Sequence, residues 1–321
     1  MESPPWRGAV PLAVAAAAAL FVAGGMDLVH RHQRTPEKPR HDAKPASESK
    51  ETEPRFVVGV AASGAALIVR DVRTGDDVGL PVAAPAGRRF HRVDAVKDGS
   101  YVVATYADRT VKFHRLTLDD DGRPEALQDV PKATVPGVST SWSDLAVSPD
   151  GTRIAYVTYQ RTRGRLDVIS TETGTGKVWT TKLPARVGSL SWSGTTLAFV
   201  WSPVRPSGET HQLRTLDTNA ASGDLKVSKA VLNLPEGGTT AILNPDGKTV
   251  VAGIMKNSHL TVQTFTLTGK PAKVLWRRPV KNELTALDIS PAGKTILATA
   301  GDLYSKGARA VPGEDLADAT W

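Results

Sequence analysis

Apolar residues beyond position 54 arrive in short runs, each opened by a glycine turn. The runs Tyr101 to Tyr106, Thr152 to Tyr159, Thr195 to Trp201, Thr249 to Ile254 and Thr295 to Ala300 are rich in Val, Ile, Tyr, Phe and Thr. Those residues favour a pleated strand. Ahead of them stand Lys97-Asp98-Gly99, Ser148-Pro149-Asp150-Gly151, Ser193-Gly194, Asn244-Pro245-Asp246-Gly247 and Ser290-Pro291-Ala292-Gly293. Pro pre-sets φ and Gly accepts a positive φ, so each reads as a tight turn opening a hairpin. After each run a second segment alternates apolar with polar: Thr110 to Leu118, Arg165 to Ser170, His211 to Leu216 and Leu260 to Leu267. Alternation of this kind marks a strand between two partners. Further turns at Arg73-Thr74-Gly75, Glu172-Thr173-Gly174 and Leu267-Thr268-Gly269 lead to outer strands such as Lys177 to Leu183 and Ala272 to Arg277.

The turn glycines recur at 99, 151, 194, 247 and 293, near the ~40 to 50 residues of a propeller blade. Four short antiparallel strands per period describe one blade, and blades exclude water when packed face to face around a ring. The segment Arg55 to Val82 offers strands at Phe56 to Val60, Leu67 to Val72 and Asp77 to Val82, with no first strand before them. Asp315 to Trp321 resembles a lone first strand, because Ala319-Thr320-Trp321 parallels Leu190-Ser191-Trp192. Together these predict an all-β, six-bladed β-propeller closed by its C-terminal strand, with a flat sandwich of hairpins as the rival.

At Ser148 to Thr158 and Asn244 to Ala252, and again across Asp144 to Tyr159, Thr240 to Ile254 and Leu284 to Ala300, the wording resembles the PD40, or WD40-like, repeats of TolB-type propellers. The whole layout resembles the membrane-anchored WD40-like proteins of actinobacteria. The Gly-His and Trp-Asp pairs of true WD40 repeats are missing, so WD40 partner surfaces do not carry over.

Residues 1–30 are expected to hold a transmembrane anchor. Gly8 to Met26 is an uncharged, mostly apolar run, close to the ~20 residues that span a bilayer. A cleaved signal peptide is the rival, with Ala23-Gly24-Gly25 a poor cleavage site. Basic residues behind the run, Arg31, Arg34, Lys38 and Arg40 against Arg7 before it, would keep the following domain cytoplasmic by the positive-inside rule. The TolB-type resemblance implies the opposite, extracytoplasmic side, which is the expectation adopted. Residues 31–54, rich in Pro, Lys, Glu, Ser and His, read as a disordered linker, and residues 55–321 as the propeller. The absence of cysteine excludes disulfides, zinc-thiolate sites, a cysteine nucleophile and a lipoprotein anchor.

Residues 1–54 carry equal numbers of acidic and basic side chains, so the whole net charge of +7 belongs to the propeller. Loops from fourth to first strands and from second to third strands share one face of such a ring. Arg88, Arg89, Arg109, Arg161, Arg163, Arg186, Arg205, Lys256 and Lys281 fall in them, against Asp108, Glu209, Glu236, Glu283 and Glu314. A ring of guanidinium groups suits a phosphate, a carboxylate or an acidic protein, and solubility alone is the competing reading. Trp142, Trp179, Trp192, Trp201, Trp276 and Trp321 lie in or beside strands, and most are expected in the core. No RNA-recognition or helix-turn-helix signature accompanies the charge, which argues against nucleic acid as a partner.

No Gly-x-Ser-x-Gly, His-Glu-x-x-His or P-loop motif is present, and His91, His114, His211 and His259 stand isolated in sequence. No cofactor is expected. The surviving enzyme reading is a metal-dependent hydrolase or lactonase of the six-bladed type, with its site in the central channel. Asp94, Asp144, Asp288 and Asp318 all fall on innermost strands and could present oxygen ligands to Ca²⁺. The alternative role for such carboxylates is to bond neighbouring backbone N–H groups and pin blades together. The leading expectation is a non-enzymatic, membrane-tethered module that binds a protein or anionic small molecule.

Overall fold

A computed structural model describes residues 54–204 and 210–321. Six sheets follow one another in chain order, each led by a strand that borders the central channel. Blade 1 orders Leu316–Thr320, Phe56–Ala61, Ala66–Asp71 and Val82–Ala83 from the inside out. Blade 2 has Arg89–Ala95, Tyr101–Ala107, Thr110–Leu118 and Pro124–Pro136, and blade 3 has Leu145–Val147, Arg153–Gln160, Arg163–Ser170 and Gly176–Thr180. Blade 4 is built from Ala185–Ser193, Thr196–Pro203, Gln212–Asp217 and Lys229–Asn233. Blade 5 comprises Gly238–Leu243, Thr249–Lys256, His259–Thr266 and Pro271–Pro279. Among the described residues, blade 6 has three strands, Ala286–Ile289, Ile296–Ala300 and Asp302–Tyr304.

The second strand of each blade reads as nearly continuous apolar sequence because both of its faces are covered. In Arg153–Gln160, Ile154 and Tyr156 pack toward blade 2, whereas Ala155, Val157 and Tyr159 pack toward blade 4. Leu197 and Phe199 face blade 3 while Ala198 and Val200 face blade 5. Apolar clusters fill all six seams, including the one between blades 6 and 1, where Leu297, Leu303 and Val311 meet Val57, Ala319 and Trp321. Burial of these wedges is the main force holding the ring, since apolar area removed from water contributes about 25 cal/mol per Å².

Ring closure follows the expected route. Leu316–Thr320 pairs antiparallel with Phe56–Ala61, Val58 opposite Thr320 and Gly59 opposite Ala319. Trp321 is 4% exposed. The turn glycines 99, 151, 194, 247 and 293 all take a positive φ, the conformation in which glycine carries no Cβ penalty.

Two expectations for outer strands need correction. Asp77 to Val82 is not a strand: pairing with Ala66 and Leu67 begins only at Val82, and Asp77 makes one isolated bridge to Arg70. Gly79 at φ 72° and Pro81 interrupt the ladder, and Asp77 is drawn into an ion pair with the Arg70 guanidinium at 2.8 Å. The outer strand of blade 3 is Gly176–Thr180, and its edge is covered by Gly223–Asp224 from the blade 4 connection, paired in parallel. The indole N–H of Trp179 donates to Ala221 O at 2.9 Å in the same contact.

The expected anchor, Gly8 to Met26, and all of the expected linker except Pro54 lie outside the described residues. Among the described residues, no helix is long and apolar enough to cross a membrane; the one helical turn is Leu225–Val227.

Candidate binding face and central channel

Innermost strands leave backbone N–H groups along the channel edge with no strand to receive them, and a buried N–H must find an acceptor. Side chains from the preceding blade supply it. Asp318 of blade 1 accepts the N–H of Val93 in blade 2 at 2.9 Å, and Asp94 of blade 2 accepts that of Val147 in blade 3 at 2.6 Å. Asp144, immediately before the inner strand of blade 3, accepts Leu190 N–H of blade 4 at 2.8 Å. The Ser191 hydroxyl takes the same role toward Leu243 of blade 5 at 2.8 Å. Asp288 of blade 6 accepts both Trp321 N–H at 3.0 Å and the Thr320 hydroxyl at 2.7 Å, returning the series to blade 1. Among the described residues no such bond runs from blade 5 to blade 6. Ile242 stands where the staple would come, five positions before its turn glycine as Asp94 and Asp288 are before theirs, and the seam is apolar, with Val251, Leu284 and Leu287.

Burial raises the pKa of all four carboxylates, Asp318 to about 7 and Asp94 well above the ordinary carboxylate range with the Asp288 charge adding to the effect. Arg92 opposes the shift at Asp144 and Asp318. The four metal candidates from the sequence are thus brought to one channel, each committed to a neighbouring backbone N–H. Among the described residues, no three His, Cys, Asp or Glu side chains are grouped to hold a metal ion.

Above the carboxylates, Arg92 sits at a bulge in the inner strand of blade 2 and crosses to blade 3. Its Nε donates to Ser143 O at 2.7 Å and its Nη2 to Ser141 O at 2.8 Å. His91 lies edge-on to Tyr106 at 5.4 Å. Burial and the Arg92 charge push it down to about 3, so the ring is neutral. Tyr159 fixes the seam between blades 3 and 4, its hydroxyl accepting Val187 N–H at 2.9 Å and donating to Val187 O at 3.1 Å.

The topology puts the expected basic residues that are described in or beside the loops of a single face, the upper face, but they divide by role. Arg88 is structural: Nη2 donates to Thr105 O and Thr110 O at 3.0 and 2.7 Å, and Nε to Thr105 Oγ1 at 2.9 Å. Lys281 is held by Asp302 at 3.0 Å and Glu314 at 3.6 Å. Arg186 lies over the Trp142 ring, 4.4 Å from its centroid. Arg89, Arg109, Arg161, Arg163 and Lys256 are exposed, with no side-chain bond to a described residue. Arg205 lies outside the described residues.

Sequence reading missed two features. Trp142 is 37% exposed rather than in the core; its setting, Ser139-Thr140-Ser141-Trp142-Ser143, lacks the alternation of a strand, and that was the available signal. His114 is not isolated either: Nε2 meets Thr105 Oγ1 at 2.9 Å and Nδ1 meets Asp129 at 2.8 Å. The order hydroxyl, imidazole, carboxylate imitates a nucleophilic relay. Thr105, however, is 0% exposed and its oxygen already receives Arg88, so the group is an internal network of blade 2.

Fold and channel together define a six-bladed β-propeller whose blades are joined at the axis by side-chain to backbone bonds. Solved structures of similar fold include TolB from Acinetobacter baumannii, at 15% identity and TM-score 0.53, covering 83% of this chain and 65% of that one. The chain therefore spans just under two thirds of that TolB. A chain of a nidogen/laminin complex is similar at 11% identity and TM-score 0.50, covering 83% of this chain and 97% of that one. A protein of unknown function from Bacteroides caccae matches at 9% identity and TM-score 0.50, over 84% of this chain and 98% of that one. No family profile and no curated protein matches the sequence.

Proposed function

We propose that this chain is a non-enzymatic binding module of TolB type, tethered to the membrane by Gly8 to Met26, with its propeller on the extracytoplasmic side. Its upper face receives a protein or an anionic ligand. The observation that carries this reading is the set of exposed cations on that face, Arg89, Arg109, Arg161, Arg163 and Lys256, which make no ion pair with a described residue. Unpaired guanidinium groups are free to form bidentate bonds with carboxylate or phosphate, and their summed field steers an acidic partner. A similarly folded propeller occurs in a nidogen/laminin complex, which supports a role in protein binding. The channel carboxylates support the same reading from the other side, because each is engaged as a staple.

The test is reversal of Arg161, Arg163 and Arg205 to Glu in the full chain. Affinity for the partner captured by the wild-type protein should fall, most steeply at low salt where screening is weakest. Equal binding by both proteins at low salt would overturn the proposal.

A further inference from the structure

Eight large apolar side chains stand exposed among the described residues, and four of them, Val138, Trp142, Leu183 and Val204, belong to the upper face. All four sit over one seam, between blades 3 and 4. Val138 O accepts Tyr159 N–H at 2.9 Å, and Trp142 packs edge-on against the Tyr159 ring at 5.7 Å. Pro184, beside Leu183, accepts Val204 N–H at 3.1 Å, and Ala185 N–H donates to Thr162 O at 3.1 Å. Thr162 lies between Arg161 and Arg163, while Arg186 covers the face of Trp142. The remaining four lie off this cluster: Leu80 in blade 1, Val227 in the connection to the outer strand of blade 4, and Leu267 and Val274 in the outer part of blade 5.

Basic charge gathers on the same seam. Residues 137–144, 160–163 and 181–187 carry Arg161, Arg163, Lys182 and Arg186, and their single carboxylate, Asp144, is turned into the channel toward Leu190 N–H. Lys182 is 3.4 Å from Asp224 at the edge of blade 3. An apolar centre with a cationic border has the anatomy of a protein contact, where buried aromatic anchors carry the energy and rim charges select the partner. A small inorganic anion would leave Leu183, 61% exposed, uncovered.

We infer that the seam between blades 3 and 4 is a docking site for an acidic protein segment bearing one aromatic or branched aliphatic anchor, which seats on Trp142 and Leu183 while its carboxylates meet Arg161 and Arg163. The inference rests on the binding role proposed above and narrows it to one sector of the face.

The probes are two synthetic twelve-residue peptides, both Asp/Glu-rich, one with a central Leu-Trp pair and one with Gly-Gly there, titrated by fluorescence anisotropy against the full chain. The anchored peptide should bind about tenfold or more tightly than the Gly peptide, the weight of one or two anchor contacts. Trp142→Ala and Leu183→Ser should remove that advantage and leave the Gly peptide unchanged; Leu183 is exposed, so its variant tests the site without disturbing folding. Arg161→Glu with Arg163→Glu should weaken both peptides, and Lys248→Glu on the opposite face should weaken neither. Equal affinity for the two peptides, no binding of either, or tighter binding to phosphatidylserine vesicles than to the anchored peptide would each overturn the inference. A captured partner that is lost on arginine reversal but indifferent to Trp142→Ala and Leu183→Ser would overturn this inference alone; one indifferent to the arginines as well would overturn the binding face itself.

Discussion

The carboxylate of Asp318 accepts the backbone N–H of Val93 at 2.9 Å, joining the last strand of the ring to the second blade across 225 positions of sequence. Four further seams repeat the device, and its chemistry gives the channel a definite response to pH.

Asp318 is pushed up to about 7 by burial, against ~3.9 in an unfolded chain. The native state holds more protons than the unfolded state between those values. This group's contribution to stability is therefore present below about 4 and is lost as pH rises through the folded value. His91, lowered to about 3, acts in the opposite sense: its contribution is present above ~6.5 and is lost as pH falls. The two oppose each other in the wild type, so a difference between proteins is the quantity to measure. Asp318→Asn keeps an oxygen for Val93 N–H and removes the titration. Its stability relative to wild type should climb between about pH 4 and 7, with a slope approaching ~1.4 kcal/mol per pH unit. Urea midpoints that run parallel across this range would refute the assignment.

Ring closure yields a second expectation. Removing Asp315 to Trp321 strips the partner from Phe56–Ala61 and empties the wedge that Trp321 fills between blades 6 and 1. Loss of one buried large aromatic costs about 3 to 5 kcal/mol, against a total stability of roughly 5 to 15. The shortened chain should aggregate or melt far below the wild type in a thermal scan. A cooperative transition at the wild-type temperature would contradict the closure.

The upper-face arginines should separate cleanly in denaturation. Arg88→Ala leaves the carbonyls of Thr105 and Thr110 without their donor and should cost about 1 to 3 kcal/mol. Arg161→Ala removes an exposed side chain and should stay within ~0.5 kcal/mol of wild type. Comparable losses in the two variants would show that the division between structural and free arginines is mistaken.

The tether is tested by fractionation. The full chain should remain in membranes after a carbonate wash, while a chain beginning at Arg55 should be soluble. Added protease should degrade the propeller of intact cells if it lies outside the cytoplasm. A mature secreted form starting near Met26 would replace the tether with a signal peptide.

What could be read from sequence follows from which interactions are local. The second strands and their glycine turns were legible because burial on two faces writes a continuous apolar run, as in Tyr101–Ala107, and a tight turn demands glycine at a fixed place. The channel aspartates were legible as positions, since Asp94 and Asp288 stand at equal distance before their turns. Their partners were not, because the N–H facing a carboxylate depends on how two blades meet. Outer strands were the least legible: Asp77 to Val82 spaces Val78, Leu80 and Val82 like a strand, yet Gly79 and Pro81 break the ladder and the ion pair with Arg70 takes Asp77. Asp302–Tyr304 is too short to leave a pattern. The exposure of Trp142 had one local signal, the missing strand alternation of its Ser/Thr-rich loop, whereas its contacts with Tyr159 and Arg186 come from other elements and were not legible.

The seam between blades 5 and 6 is the one without an axial hydrogen bond among the described residues, and it borders the one blade with three strands. At the rim it is fastened by Arg278, which donates to Ser305 O and Ala308 O at 3.1 Å and lies over Tyr304. Such a ring resembles a clasped bracelet: five links resist separation at the axis, and the sixth depends on oily contact and on polar buckles away from the axis, Arg278 and the Lys281–Asp302 pair. Opening under heat or denaturant is therefore expected to start at this clasp: amide hydrogens of Ala286–Ile289 should exchange ahead of those in the inner strands of blades 2 and 3, and the ring should give way as a hinge rather than by dilating evenly.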